Sequence, residues 1–155
     1  MSKAEEIPFE ISHYVRDACL CLHVQRTARA LARHFDDAFR LFDLTSGQFS
    51  LLVSLNRATP PSIGSVASLL AMDRTTLTAA LKPLERRGLV QVSVDAKDRR
   101  SRLLKLTRKG RALLRRAVAI WESQHSVIEQ RLRGIDPELL RHGLRVLSAP
   151  EATKA

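Results

Sequence analysis

A mainly α-helical fold carrying one small two- or three-stranded β-wing is the class this sequence predicts, on three observations. Apolar residues recur at helical spacing over most of the 155 residues. A single region, residues 89–94 and 102–107, reads as two short strands joined by a charged tip at 95–101. Just before it, two short helical patterns at 62–70 and 74–87 are separated by Ala71-Met72-Asp73, which is the order of a winged helix-turn-helix.

The first element is expected to be one long amphipathic helix over residues 10–42. Tyr14, Ala18, Cys21 or Leu22, Ala28, Ala32, Phe35, Phe39 and Phe42 carry its periodicity. Its length would be roughly 45–50 Å, more than a small domain can cover, so part of it should pack against a second subunit. Thr45 and Gln48 then make a capping box, with Leu44 and Phe49 placed as its hydrophobic staple. That helix has to end before Thr59-Pro60-Pro61, because a residue preceding proline avoids the helical region.

In the second helix of the motif, Leu77, Leu81 and Leu84 lie at i, i+4, i+7 and should face the core. Thr75, Thr78 and Lys82 lie on the other side, with Arg74 at the start and Asp73 as N-cap. Pro83 should bend this helix or mark its distal part, and Gly88 should stop it. After the strands, Thr107 is placed to cap a helix running to about Arg133 and ended by Gly134. A last helix starts at Asp136-Pro137-Glu138, with Ile135 stapled to Leu140, and fades at Pro150. Residues 43–110 are thus expected to form a DNA-binding lobe, and 1–42 with 111–155 a helical dimerisation region of the same continuous fold. The two-fold interface should bury Ile7, Phe9, Ile11, Ile128, Leu132, Leu140 and Leu144.

Charge narrows the partner. The chain has 26 Lys and Arg against 16 Asp and Glu, a formal net charge of +10, which favours an anionic partner such as nucleic acid or an acidic membrane. Between Arg74 and Arg116 stand fourteen basic residues and three acids, so that segment alone exceeds the net charge of the whole. No apolar run reaches spanning length and the N-terminus has no apolar signal region, so a cytoplasmic protein without membrane association is expected. Two cysteines are too few for a disulfide framework. The six glycines are isolated, and G-x-S-x-G, H-E-x-x-H and C-x-x-C are absent. No enzyme, metal site or cofactor is expected.

The chemistry of the motif suits base reading in the major groove. An Arg at the start of the inserted helix can bond bidentately to guanine, and Thr offers a hydroxyl together with a methyl for thymine. Arg74, Thr75, Thr76, Thr78 and Lys82 are therefore candidate DNA contacts, with Ser65 from the helix before. The tip supplies Asp98, Arg99, Arg100 and Arg102, since a narrow minor groove attracts Arg. Asp98 is expected to orient an arginine.

The run Leu81-x-x-Leu84-Glu85-x-x-Gly88-Leu89-Val90, then Asp98-Arg99-Arg100, then Leu106-Thr107-x-x-Gly110 resembles the multiple antibiotic resistance regulator (MarR) family of bacterial transcription factors. The likeness extends over roughly residues 12–147. It implies a homodimeric winged helix, usually a repressor on a pseudo-palindromic, double-stranded DNA operator, released by a small phenolic ligand, an oxidant or occasionally a metal. It places base reading at Arg74, Thr75, Thr76 and Thr78, and the wing contact at Asp98, Arg99 and Arg100. A non-sequence-specific architectural nucleic-acid binder is the alternative.

Cys21 resembles the reactive cysteine of the hydroperoxide-sensing branch of that family, although Ser46 and Phe49 stand where that branch has tyrosines. Cys19 and Cys21 lie two residues apart on the expected helix and point about 200° apart, so they should neither chelate one metal nor form a mutual disulfide. A buried structural thiol is the favoured reading for each, and redox sensing the other. His23, in the same helix near the expected effector cleft, is a candidate ligand contact.

Overall fold

The structure, a computed structural model, describes residues 6–149. Its elements are α1 (Phe9–Ala18), α2 (Leu20–Ala38), a 3-10 turn (Arg40–Phe42), α3 (Ser46–Ser54), α4 (Ile63–Leu69), α5 (Arg74–Arg86), β1 (Val90–Val94), β2 (Arg102–Leu106), α6 (Arg108–Gln130) and α7 (Pro137–Ser148). This is the expected mainly helical fold with a small wing. The outermost parts of the two helical regions, 1–5 and 150–155, and with them the fading of the last helix at Pro150, lie outside the described residues.

The single long first helix is corrected to two helices and a 3-10 turn. Cys19 separates α1 from α2 in an extended conformation, with φ −73° and ψ 105°. Its Sγ accepts the backbone N–H of Leu22 at 3.4 Å, filling the place of an N-cap oxygen. His23 Nε2 in turn donates to the carbonyl of Asp17 at 3.0 Å. A one-residue interruption leaves apolar spacing intact on either side, and a sulfur cap gives none of the usual Ser, Thr, Asp or Asn signal.

The other helix starts follow the side chains named for them. Thr45 accepts Gln48 N–H at 3.2 Å while Gln48 Oε1 accepts Thr45 N–H at 3.0 Å, closing the capping box of α3. Leu44 and Phe49 beside it are buried. Ser62 caps α4, Thr107 caps α6 and Asp136 caps α7. Pro83 sits inside α5 without ending it. The carbonyl that loses its donor belongs to Ala79, an exposed residue that water can serve. Gly88, at φ 68°, closes α5: Leu89 N–H reaches Leu84 O at 2.9 Å and Gly88 N–H reaches Glu85 O at 2.8 Å.

The end of α6 also differs from expectation. The helix stops at Gln130, and residues 131–134 form turns in which Arg131 and Leu132 bond three residues back, before Gly134 at φ 93°.

β1 and β2 pair antiparallel with Val90 opposite Leu106 and Val94 opposite Arg102. Ser62 bridges Leu103, so the segment entering α4 supplies a rudimentary third strand. Thr107 and Gly110 lock the hairpin to α6. Thr107 Oγ1 donates to Gly88 O at 2.7 Å and accepts Gly110 N–H at 2.9 Å. Gly110 lies so close to Leu89 that a Cβ there would collide with the Leu89 carbonyl oxygen. The Thr-x-x-Gly pattern is thus a packing requirement at the strand-helix joint.

One hydrophobic core, from Phe39 to Ala117, joins α3, α4, α5, both strands and the first half of α6. Leu52, Leu77, Leu84 and Leu104 are fully buried in it, and Phe39 stacks on Phe49 at 4.6 Å between ring centroids. By contrast α1, α2 and α7 hold no buried residue. Phe9 is 71% exposed, Leu140 42% and Leu144 44%. The staple expected between Ile135 and Leu140 leaves both side chains exposed. α7 is instead tied to α6 through charge: Arg141 bridges Glu129 of α6 at 2.6 Å, and is braced within its own helix by Glu138 at 2.8 Å. The guanidinium holds the Glu129 carboxyl below its ordinary range. No helix among the described residues is long and apolar enough to cross a membrane.

Candidate nucleic-acid interface

The turn between α4 and α5 is tight because Ala71 adopts φ 51° and Met72 N–H returns to Ala67 O at 2.9 Å. Asp73 then starts α5. Its carboxylate accepts the Thr76 hydroxyl at 2.6 Å and the Thr76 N–H at 2.8 Å, and these bonds lower its pKa. With its first turn fixed in this way, α5 presents Arg74, Thr75, Thr76, Thr78 and Lys82 on its exposed side while Leu77, Leu81 and Leu84 are buried.

The threonines divide by their bonds. Thr76 spends its proton on the Asp73 cap, and Thr78 donates to the Arg74 carbonyl at 2.7 Å. Thr75 has no side-chain partner among the described residues, which makes it the more available hydroxyl. Ser65 is exposed, but its hydroxyl donates back to Ser62 O at 2.9 Å.

The wing tip is built by two aspartates acting on backbone. Asp95 accepts Lys97 N–H at 2.9 Å, and Asp98 accepts Arg100 N–H at 3.0 Å. Asp98, expected to orient an arginine, acts on Arg100 through its main-chain amide and so shapes the turn. Arg102 folds over the tip and donates to Arg99 O at 3.0 Å. Arg99 and Arg100 have no carboxylate partner among the described residues.

These parts converge. Ser62, Gly64, Arg74, Thr78, Arg100 and Arg102 line one concavity of about 350 Å³ together with Asp98 and Ser101. Gly64 belongs to it for a steric reason: a Cβ there would stand 3.1 Å from Arg74 Nη2, so the missing side chain makes room for the guanidinium. Ser62 and Gly64 were not among the sequence candidates, because a contact between the start of α4 and Arg74 depends on the angle between two helices. Thr75, Thr76, Lys82, Arg99 and Ser65 lie outside the lining of this concavity, on exposed surface of the same elements.

The three effector candidates lie at the start of α2. Cys19 is half-buried and Cys21 exposed, so the expectation of a buried thiol fails for Cys21 within the chain. The 200° separation also lapses, because Cys19 is the cap and only Cys21 is in the helix. Cys21 Sγ accepts from Gln25 Nε2 at 3.2 Å. His23 borders an open basic groove with Arg26, Arg29 and Arg33. An apolar cleft of about 480 Å³ lies elsewhere, between α3, the end of α4 and α6, lined by Phe49, Val53, Leu69, Leu70, Val118 and Trp121. Its residues come from three helices, which explains why no single stretch revealed it. Among the described residues, no cluster of three or more His, Cys, Asp or Glu is gathered as a metal ion would require.

A helix pair with a tight turn, the second helix exposed at its N-terminus beside a cationic hairpin, defines a winged helix-turn-helix. The MarR family model matches residues 44–101. Over 114 residues the chain is 34% identical to the uncharacterized HTH-type transcriptional regulator YybA of Bacillus subtilis, covering 72% of each. It is also 41% identical over 71 residues to the transcriptional activatory protein BadR of Rhodopseudomonas palustris. That match covers 44% of this chain, and the chain spans only 41% of BadR. Among solved structures it is similar to the M. tuberculosis transcriptional regulator MosR in complex with DNA, at 34% identity and a TM-score of 0.73, over 83% of this chain and 92% of MosR. The chain belongs to the MarR family of transcriptional regulators.

Proposed function

We infer that this protein is a homodimeric repressor that reads a pseudo-palindromic DNA operator and leaves it when a small phenolic ligand, or oxidation, changes the spacing of its two lobes. The observation that carries the DNA reading is the shared concavity of Arg74, Thr78, Arg100 and Arg102, where recognition helix and wing bring three arginines together with the single carboxylate of Asp98. MosR, similar over most of the chain, was solved with DNA.

In this reading residues 43–110 form the lobe that contacts DNA. Residues 1–42 and 111–155 form the helical region that pairs two copies. The exposed apolar side chains of α1 and α7 support such pairing. Two-fold symmetry then sets the recognition helices about one DNA turn apart, near 34 Å. Arg74 and Thr75 read base edges, Arg99 and Arg100 follow the adjacent minor groove, and Lys82 and Arg102 neutralise phosphate. Repression follows from occluding polymerase.

The apolar cleft beside Trp121 has the size and lining of a small-molecule site and suits an aromatic ligand. The exposed thiol of Cys21 offers the oxidative route.

The test is Arg74→Ala against an operator selected from random DNA. A loss of about 1–3 kcal/mol confined to one base position per half-site is expected for direct readout. A uniform loss over all sequences makes Arg74 a phosphate contact. Binding abolished by bulk competitor DNA in the wild-type chain establishes the architectural reading instead.

A further inference from the structure

The corner where the helical region enters the lobe is gripped by one side chain at the far end of the recognition helix. Arg87 is the C-cap of α5, and its side chain is 29% exposed. Its Nη2 donates to Phe42 O at 2.9 Å and its Nη1 to Asp43 O. Both carbonyls belong to the 3-10 corner that follows α2, where Asp43 takes φ 50°. The Asp43 carboxylate adds charge at 3.8 Å.

No other hydrogen bond among the described residues joins α5 to anything before Ser46. Both sides of the grip are steadied from α6: Arg116 lies over the Phe42 ring of the corner at 4.9 Å, and Lys109 Nζ donates to the backbone carbonyl of Arg87 at the end of α5 at 2.8 Å. A guanidinium suits this task because its planar fork can serve two carbonyls at once.

We propose that Arg87 is a positioning residue that fixes the angle between the dimerising helices and the recognition helix, and so sets which operator spacing the protein accepts. The inference rests on α5 being the recognition helix of a two-fold reader. α5 has 13 residues, roughly 20 Å of rigid rod at 1.5 Å per residue. A small rotation at the Arg87 end therefore moves Arg74 at the other end by a distance that matters to base contacts. Arg87 touches no DNA in this arrangement and acts through geometry alone.

The experiment uses the full chain and its selected operator, with one base pair inserted or removed at the centre. One base pair turns a half-site by about 34° and shifts it by about 3.4 Å. The quantity read is the ratio of affinities for matched and altered spacing. In Arg87→Ala this ratio is expected to fall about tenfold relative to wild type, as a coupling between two elements is lost. Arg87→Lys, with one ammonium for two carbonyls, should fall between them. A purely structural role would weaken binding to all spacings in parallel, and an unchanged ratio overturns the proposal. Should Arg87→Ala fail to fold, the ratio for Arg87→Lys decides on the same terms. A wild-type chain indifferent to spacing overturns the two-fold reader itself, a failure distinct from that of the clamp.

Discussion

The lobe and the terminal helices are made from similar amino acids and finished in opposite ways. Between Phe39 and Ala117 the apolar side chains close on one another. α1, α2 and α7 carry comparable apolar periodicity yet hold no fully buried residue, and Phe35 at the end of α2 is only partly covered where it packs against the core. The difference lies in where the complementary surface comes from. Lobe stability is internal, whereas the helices present an apolar face that needs another surface to cover it.

The largest effect should come from breaking the lobe at its tightest joint. Gly110→Ala places a methyl group against the Leu89 carbonyl, with the carbonyl carbon at 3.0 Å, and backbone cannot swing aside as a long side chain can. Denaturant unfolding should show a loss of about 1–3 kcal/mol or more. An unchanged midpoint would mean that the strand-helix joint is looser than the structure shows.

Next in size is a change aimed at the other region. The pair Leu140→Glu and Leu144→Glu lies on the exposed face of α7, away from the core. It should shift the protein to monomers in sedimentation and weaken operator binding more than about tenfold, about 1.4 kcal/mol, while the unfolding midpoint of the lobe stays put. A lobe midpoint that falls with it would show that the two regions are not finished separately.

The smallest effect concerns the cap that starts the recognition helix. Asp73 is held below its ordinary pKa by the Thr76 hydroxyl and the Thr76 N–H. A lowered folded-state pKa gives stability that is complete above the unfolded value and is lost as pH falls through the folded one. Wild type should therefore exceed Asp73→Asn in thermal stability at neutral pH, and the gap should narrow as pH drops below the ordinary carboxylate range. A constant gap would remove the carboxylate charge from the account. The site is exposed, so screening keeps the effect slight.

The same contrast explains what could be read from sequence. Local chemistry was legible wherever one residue satisfies a neighbour a few positions away. Thr45 with Gln48, Asp73, Thr107 and Asp136 each cap the helix their types and positions specify. The buried face of α5 was equally plain, because Leu77, Leu81 and Leu84 repeat at its period. Contacts between distant segments were not. Gly64 making room for Arg74, Arg87 reaching Phe42 and the cleft beside Trp121 each depend on how helices cross. The break at Cys19 escaped for another reason, since sulfur is a rare cap and leaves periodicity undisturbed.

The central claim is that the lobe reads DNA sequence as one half of a symmetric pair. Footprinting the full chain on its selected operator in the presence of excess competitor DNA tests it most directly. The account predicts two protected half-sites on one face of the duplex, about one turn apart and related by inverted repeat. A single protected site, or protection that spreads without regard to sequence, would contradict it.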